Sequence, residues 1–230
     1  MSDSIRIFIT GGTRGIGRAV ALRFAREGAM VAIAARTSDE LDTVVAEIEA
    51  AGGSGEACQA NLRDHGSLEA AVFRAVDFFD GKIDVVVNNA GIVEFSEFEE
   101  VTLDAWERFL AVNMTGPYLV LAEAMPALRE SSRAHIFNIG AQLAAAPEKG
   151  SALLAATKAG VAGLGRALHA DLADDGIRIT TVLPGPTDTP GLGPWKERFA
   201  GKELGTPEAV ADAIWDAYQN DQAPLELPIE

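Results

Sequence analysis

The sequence predicts a single-domain, doubly wound α/β protein, a parallel sheet with helices on both faces. Three observations predict it. Short β-branched runs alternate with amphipathic helical stretches along the whole chain, the order that builds βαβ units. Segments such as Val31-Ala32-Ile33-Ala34 and Val85-Val86-Val87 are apolar without alternation, as strands covered on both faces must be. The first strand runs through a glycine-rich turn straight into the first helix.

Taken in order, Ile5 to Ile9 reads as a strand. A helix from about Gly15 to Glu27 follows, with Ala19, Val20, Leu22 and Phe24 on its apolar side and Gly28 as its stop. Met30 to Ala35 is the second strand. Ser38 is expected to cap a helix through Ala51 that ends at Gly52-Gly53. Glu56 to Ala60 reads as the third strand, Ser67 to Phe79 as a helix and Ile83 to Val87 as the fourth strand. One long helix is predicted from about Thr102 to Arg129, before a strand at His135 to Ile139. A helix from about Ser151 to Ala173 precedes the strand Arg178 to Leu183. The helix Pro207 to Gln219 precedes a short last strand, Leu225 to Ile229. No repeat or low-complexity linker divides residues 1–230. The least regular stretch, Pro184 to Gly205, includes Pro190-Gly191-Leu192-Gly193-Pro194 and is a candidate substrate loop or lid.

The chain has 230 residues, 48% hydrophobic and 23% charged, an ordinary globular balance with enough length for one large core. Its net charge of −15 argues against nucleic acid and anionic membranes as partners. The single cysteine, Cys58, excludes an internal disulfide and fits a reducing compartment; it reads as a small strand residue. Met1-Ser2-Asp3-Ser4 leads into a strand rather than an apolar signal segment, and no run approaches a membrane span. A cytoplasmic location is expected. His65 (on a loop), His135 and His169 are scattered, without metal-ligand spacing, and are read as structural.

Thr10-Gly11-Gly12-Thr13-Arg14-Gly15-Ile16-Gly17 is the chemically informative segment. Glycines allow positive φ and close backbone approach, and the helix N-terminus that follows attracts negative charge. Strand, turn and helix in this order make a dinucleotide site. An acidic residue ending the second strand would grip a ribose 2′-hydroxyl and repel a 2′-phosphate. Arg36 stands there instead, and Arg14 lies inside the turn. Two guanidinium groups can bracket a phosphate, so NADP(H) is expected rather than NAD(H).

With these residues in view, nearly the whole chain resembles the short-chain dehydrogenase/reductase family. The resemblance rests on Thr10-Gly11-x-x-x-Gly15-x-Gly17, Asn88-Asn89-Ala90-Gly91, Asn113 in Val112-Asn113-Met114-Thr115-Gly116, Lys158 in Ala156-Thr157-Lys158-Ala159, and Pro184-Gly185-x-x-x-Thr189. It implies a seven-stranded parallel sheet and a cofactor bound by Gly11, Thr13, Arg14, Gly15, Ile16, Gly17 and Arg36. It further implies that Asn89, Ala90 and Gly91 line the cofactor, and that Lys158 holds the nicotinamide ribose. Pro184, Gly185 and Thr187 belong to the same motif, whose Thr189 would touch the carboxamide. Many relatives place an aspartate after the third strand against the adenine; Asn61-Leu62 stands there.

The same resemblance implies a catalytic serine and tyrosine that this chain lacks. The tyrosine position, four residues before Lys158, is Leu154; the serine position, thirteen earlier, is Ala141. In the family one helical turn places the ammonium beside the phenol and lowers its pKa, so that it serves as proton donor. Tyr118 and Tyr218, the only tyrosines, fall on other helices. Losing both groups removes about 10⁴-fold of the ordinary carbonyl-reduction route, about 5–6 kcal/mol. Asn113 and Lys158 remain as catalytic candidates, and Ala141, Gln142, Ser151 and Leu154 as the substrate pocket, with Glu148-Lys149 in its loop.

Three readings follow. The first is an NADP(H)-dependent oxidoreductase of a carbonyl or alcohol with an altered proton donor. The second is a silent NADP(H)-binding protein with a structural, sensing or partner-binding role. The third is a non-redox enzyme on the same scaffold. Gly160, Gly163 and Gly165 permit close packing of their helix against the sheet or a second subunit. Relatives use this helix and the one near 103–129 in a two-fold interface, so a homodimer or homotetramer is expected.

Overall fold

A computed structural model describes residues 4–229. Seven strands form one parallel sheet in the order β3-β2-β1-β4-β5-β6-β7. They are β1 (Arg6–Thr10), β2 (Met30–Ala35), β3 (Ser54–Gln59), β4 (Val85–Asn88), β5 (His135–Ile139), β6 (Arg178–Pro184) and β7 (Glu226–Ile229). The register sets Ile9 beside Ile33 and Val87, and Asn88 beside Asn138. The order reverses after β1, so the chain leaves β1 and β4 toward opposite sides and opens a crevice at their C-terminal ends.

Strand side chains alternate between two cores. Ile7, Ile9, Val31, Ile33, Val85 and Val87 meet α1 (Gly15–Ala25), α2 (Ser38–Ala50) and α7 (Pro207–Gln219) on one face. Phe8, Ala32, Val86, Ile136 and Ile179 meet α3 (His65–Phe78), α5 (Gly116–Arg129) and the end of α6 (Ala152–Asp171) on the other. Each fully buried Ile or Phe contributes roughly 1.5–3 kcal/mol of transfer free energy. Cys58 lies in the second core, and burial raises its thiol pKa to about 12.

Several expected boundaries move, each for a local reason. The predicted helix 102–129 is two helices, α4 (Leu103–Leu110) and α5, joined by a π-helical turn at Ala111–Thr115. Asn113 sits in this widened turn, a geometry frequent at functional sites. Asp64 caps α3 through the amide of Ser67, which draws His65 from the expected loop into the helix. Thr37 rather than Ser38 precedes α2, without a side-chain cap. Two of the three α6 glycines serve internal packing: a Cβ on Gly165 would lie 2.5 Å from Thr181 Oγ1, and one on Gly160 2.6 Å from Met114 Sδ, whereas one on Gly163 would meet only Arg166, at 3.8 Å.

Residues 184–205 are partly ordered by a 3₁₀ segment, Gly193–Phe199, and by a bridge between Thr187 and Gly205. On the outer surface, α5 and α6 leave a shallow apolar groove lined by Tyr118, Leu121, Met125, Leu164 and Leu168. Among the described residues no helix is long and apolar enough to cross a membrane.

Candidate functional site

A cleft of about 740 Å³ opens where β1 and β4 diverge, and its lining runs from the β2–β3 side to the β5–β6 side. Its floor is the turn between β1 and α1. Gly11 and Gly15 have φ of +66° and +56°, conformations in which a side chain is strained. A Cβ on Gly17 would lie 2.2 Å from the Gly11 carbonyl oxygen, so Gly17 permits the close approach of helix and turn although it lies beneath the cleft wall. Asn89 locks the turn from β4: its Nδ2 donates to the carbonyls of Thr10 (2.9 Å) and Gly11 (3.0 Å). Thr10 returns the tie, its Oγ1 accepting from the amides of Asn89 and Ala90, both at 3.1 Å.

Side chains cap the N-termini of α3, α4 and α7, through Asp64, Thr102 and Thr206. No side chain caps α1, and its first turn holds no acidic residue. Its free amides and the positive end of its dipole therefore face the cleft, an arrangement that takes a phosphate. Thr13, Arg14, Gly15 and Ile16 line this part.

On the β2–β3 side the lining includes Arg36, Thr37, Glu40, Asn61, Leu62 and Arg63. Arg14 and Arg36 are exposed, and among the described residues neither pairs with a carboxylate. Glu40, unforeseen from the sequence, accepts a hydrogen bond from Thr13 Oγ1 at 3.1 Å and brings one negative charge to this end. Asn61 Oδ1 is occupied by the amide of Arg63, while Leu62 is buried against Gly116.

On the β5–β6 side, Lys158 reaches from α6 to the cleft floor. It is 8% exposed, and its Nζ donates to the Ile139 carbonyl at 2.6 Å. Burial lowers its pKa from 10.5 to about 8. An ammonium has three donors, and one is used. Asn113 does not line the cleft. Its Oδ1 accepts from the Ile92 amide at 2.8 Å, and its Nδ2 donates to the Ile92 carbonyl and to Thr157 Oγ1. It thus ties the irregular segment following β4 to the helix that carries Lys158. Gly91, Pro184, Gly185, Thr187 and Thr189 line the cleft with Lys158.

Of the expected substrate-pocket residues, Ala141, Gln142 and Leu154 line this end and Ser151 does not. Ser151 is buried, its hydroxyl donating to the Glu148 carbonyl at 2.6 Å and accepting from the Glu148 amide, so it shapes the loop instead. Gln142 Nε2 is committed to the Ile229 carbonyl. Leu154, 3% exposed, packs with Phe95, Phe109, Leu153, Leu192 and Phe199 in a third apolar cluster. Nothing local in the sequence announces this cluster, because Phe95 and Phe199 meet only in the fold, with ring centroids 6.1 Å apart.

The family model for short chain dehydrogenases matches residues 6–199. The 2,5-dichloro-2,5-cyclohexadiene-1,4-diol dehydrogenase LinX of Sphingobium indicum is 38% identical over 182 residues, which span 79% of this chain and 72% of that protein. A short chain dehydrogenase from Burkholderia cenocepacia J2315, solved in complex with NADP, is 33% identical, with a TM-score of 0.88 over 98% of this chain and 96% of that one. A 3-ketoacyl-(acyl-carrier-protein) reductase from Brucella melitensis, complexed with NADH, is 29% identical, with a TM-score of 0.88 over 97% and 95%. In sequence and in backbone alike, the chain belongs to the short chain dehydrogenase family of oxidoreductases.

Proposed function

We propose that the protein binds NADP(H) in this cleft and uses it to interconvert a carbonyl compound and its alcohol, with Lys158 carrying the proton that a tyrosine carries in relatives. The residues present fit the cofactor. The uncapped α1 terminus and the Gly11–Gly17 turn match a pyrophosphate, and the unpaired Arg14 and Arg36 match a 2′-phosphate. When bound, the nicotinamide supplies or takes the hydride.

The observation that carries the reading is Lys158. Among the described residues it is the only buried ionisable side chain lining the cleft. In the ammonium form it donates a hydrogen bond, then a proton, to the oxygen of a bound carbonyl. In the amine form it accepts the proton of an alcohol. A pKa of about 8 populates both forms near neutral pH. Ala141 adds no polar side chain there, and the Nε2 of Gln142 donates to the Ile229 carbonyl. Asn113 acts by positioning, through Ile92 and Thr157. Carbonyl-dependent NADPH oxidation that falls as pH rises through about 8, and disappears in Lys158→Met, supports the reading. NADPH binding without turnover in the wild type, with turnover only in the Ala141→Ser/Leu154→Tyr double variant, replaces it with a silent cofactor-binding role. That second reading draws on Leu154, which is packed as a core residue rather than presented to the cleft as a polar group.

We also propose self-association through the α5–α6 face, where the Tyr118 groove is apolar and open.

A further inference from the structure

The two halves of the cleft differ in charge. The β2–β3 half carries the unpaired Arg14 and Arg36. In the β5–β6 half, two cations that line the cleft, Arg108 and Lys202, are paired with carboxylates. Arg108 forms a two-pronged bridge to Glu94, at 2.7 and 2.8 Å. Lys202 meets Glu148 at 3.1 Å. Arg198 donates to the Lys149 carbonyl and lies over the Phe95 ring, 4.5 Å from its centroid.

Inside this rim the wall is apolar: Phe95, Leu143, Leu154, Leu192 and Phe199 all line the cleft. Trp195 backs the wall, its ring 5.6 Å from Phe95 and its Nε1 donating to the Val93 carbonyl. The buried polar group facing inward is the Lys158 ammonium, at the floor beside Gly91, with the Gln142 amide exposed at the same end. A substrate placed here can satisfy one oxygen at Lys158. A charge on the part of its body that lies against this wall would be desolvated beside phenylalanine and leucine side chains. The net charge of −15 adds a long-range penalty for anions.

We infer that the substrate end selects an uncharged ketone, or the corresponding alcohol, with one reacting oxygen and an otherwise apolar body, and rejects substrates that carry a carboxylate or phosphate. This rests on the functional reading above, which gives the other half of the cleft to the dinucleotide.

The probes are methyl 4-acetylbenzoate and 4-acetylbenzoate, which share one ketone and one ring and differ in a distal charge. Their binding to the NADPH-saturated protein is measured by calorimetry. The ester is expected to bind at least about tenfold more tightly than the acid. Phe199→Ser is expected to weaken the ester about tenfold. The surface double variant Glu94→Gln/Glu148→Gln, which leaves the apolar wall intact, frees Arg108 and Lys202 and is expected to strengthen the acid severalfold with the ester unchanged. Equal or tighter binding of the acid, no binding of either probe, or an ester affinity indifferent to Phe199→Ser overturns the inference. NADPH is titrated alone in parallel. Nucleotide binding without ester preference defeats this inference only. Failure to bind nucleotide defeats the functional reading, and the ester–acid comparison on the free protein then decides the inference by itself.

Discussion

Replacing Lys158 by methionine is expected to make the protein more stable at pH 7 and less stable, relative to wild type, at pH 10 and above. The folded-state pKa of about 8 against 10.5 in the open chain means that folding buries an ammonium at a loss of about 3 kcal/mol, at roughly 1.36 kcal/mol per pKa unit. The sign follows from proton counts. Below pH 8 both states hold the proton and the penalty is complete. Between pH 8 and 10.5 the unfolded chain binds more protons than the folded one, so wild-type stability rises. Above that window the penalty is gone. Methionine also forfeits the hydrogen bond to the Ile139 carbonyl, about 1.5–3 kcal/mol for a charged donor. The net gain at pH 7 is therefore about 1 kcal/mol, and it shrinks and reverses as the pH climbs. Urea titrations of both proteins at pH 7, 8.5 and 10 measure it, and titrating groups common to both cancel in the difference. A wild type more stable than the variant at pH 7, or a difference that does not change with pH, would refute the assignment of Lys158 as a desolvated cation.

Arg36→Ala is expected to weaken NADPH about tenfold or more while leaving NADH within a factor of about two; calorimetry with both nucleotides reads the contrast. Gly17→Ala forces a Cβ to within 2.2 Å of the Gly11 carbonyl, and loss of nucleotide binding together with more than about 2 kcal/mol of stability is expected. His135 is buried, and burial, then Arg178, lowers its pKa from 6.5 to about 3. The unfolded chain therefore gains a proton first, and stability drains as pH falls from 6.5 toward 3. The full swing is about 5 kcal/mol, and His135→Phe flattens the dependence in denaturation midpoints at pH 4 and 7. Tyr118→Glu, on the open α5–α6 groove, is expected to lower the mass measured by light scattering at micromolar protein.

The parts of the fold written locally were legible in the sequence. Met30–Ala35, His135–Ile139 and Pro207–Gln219 begin and end where periodicity, glycine and proline place them. The glycine turn needed only its own eight residues. What could not be read depends on contacts between distant segments. The break at Ala111–Thr115 is invisible because the helical pattern continues on either side, while the widened turn serves Asn113's bonds to Ile92 and Thr157. Ser151 looked like a pocket hydroxyl because it sits near Lys158 in sequence, but its bonds to Glu148 turn it inward. Glu40 and the Phe95–Phe199 wall joined the site only once their segments met in space. Asp64, by contrast, carried a readable signal: an acidic residue three before Ser67 is an ordinary cap.

The sealed thiol of Cys58 gives this fold a built-in clock. With its side chain buried and its pKa held near 12, the native state presents almost no thiolate to an alkylating reagent. Modification must wait until the β3 edge of the sheet and the α3 cover over it open. That edge also forms the Arg36 and Asn61 wall of the cleft. The labelling rate of this one sulfur therefore counts openings of the wall. Any molecule that holds the wall shut slows the labelling by the factor its binding free energy dictates, which weighs ligands without an absorbance change, a turnover or a tag.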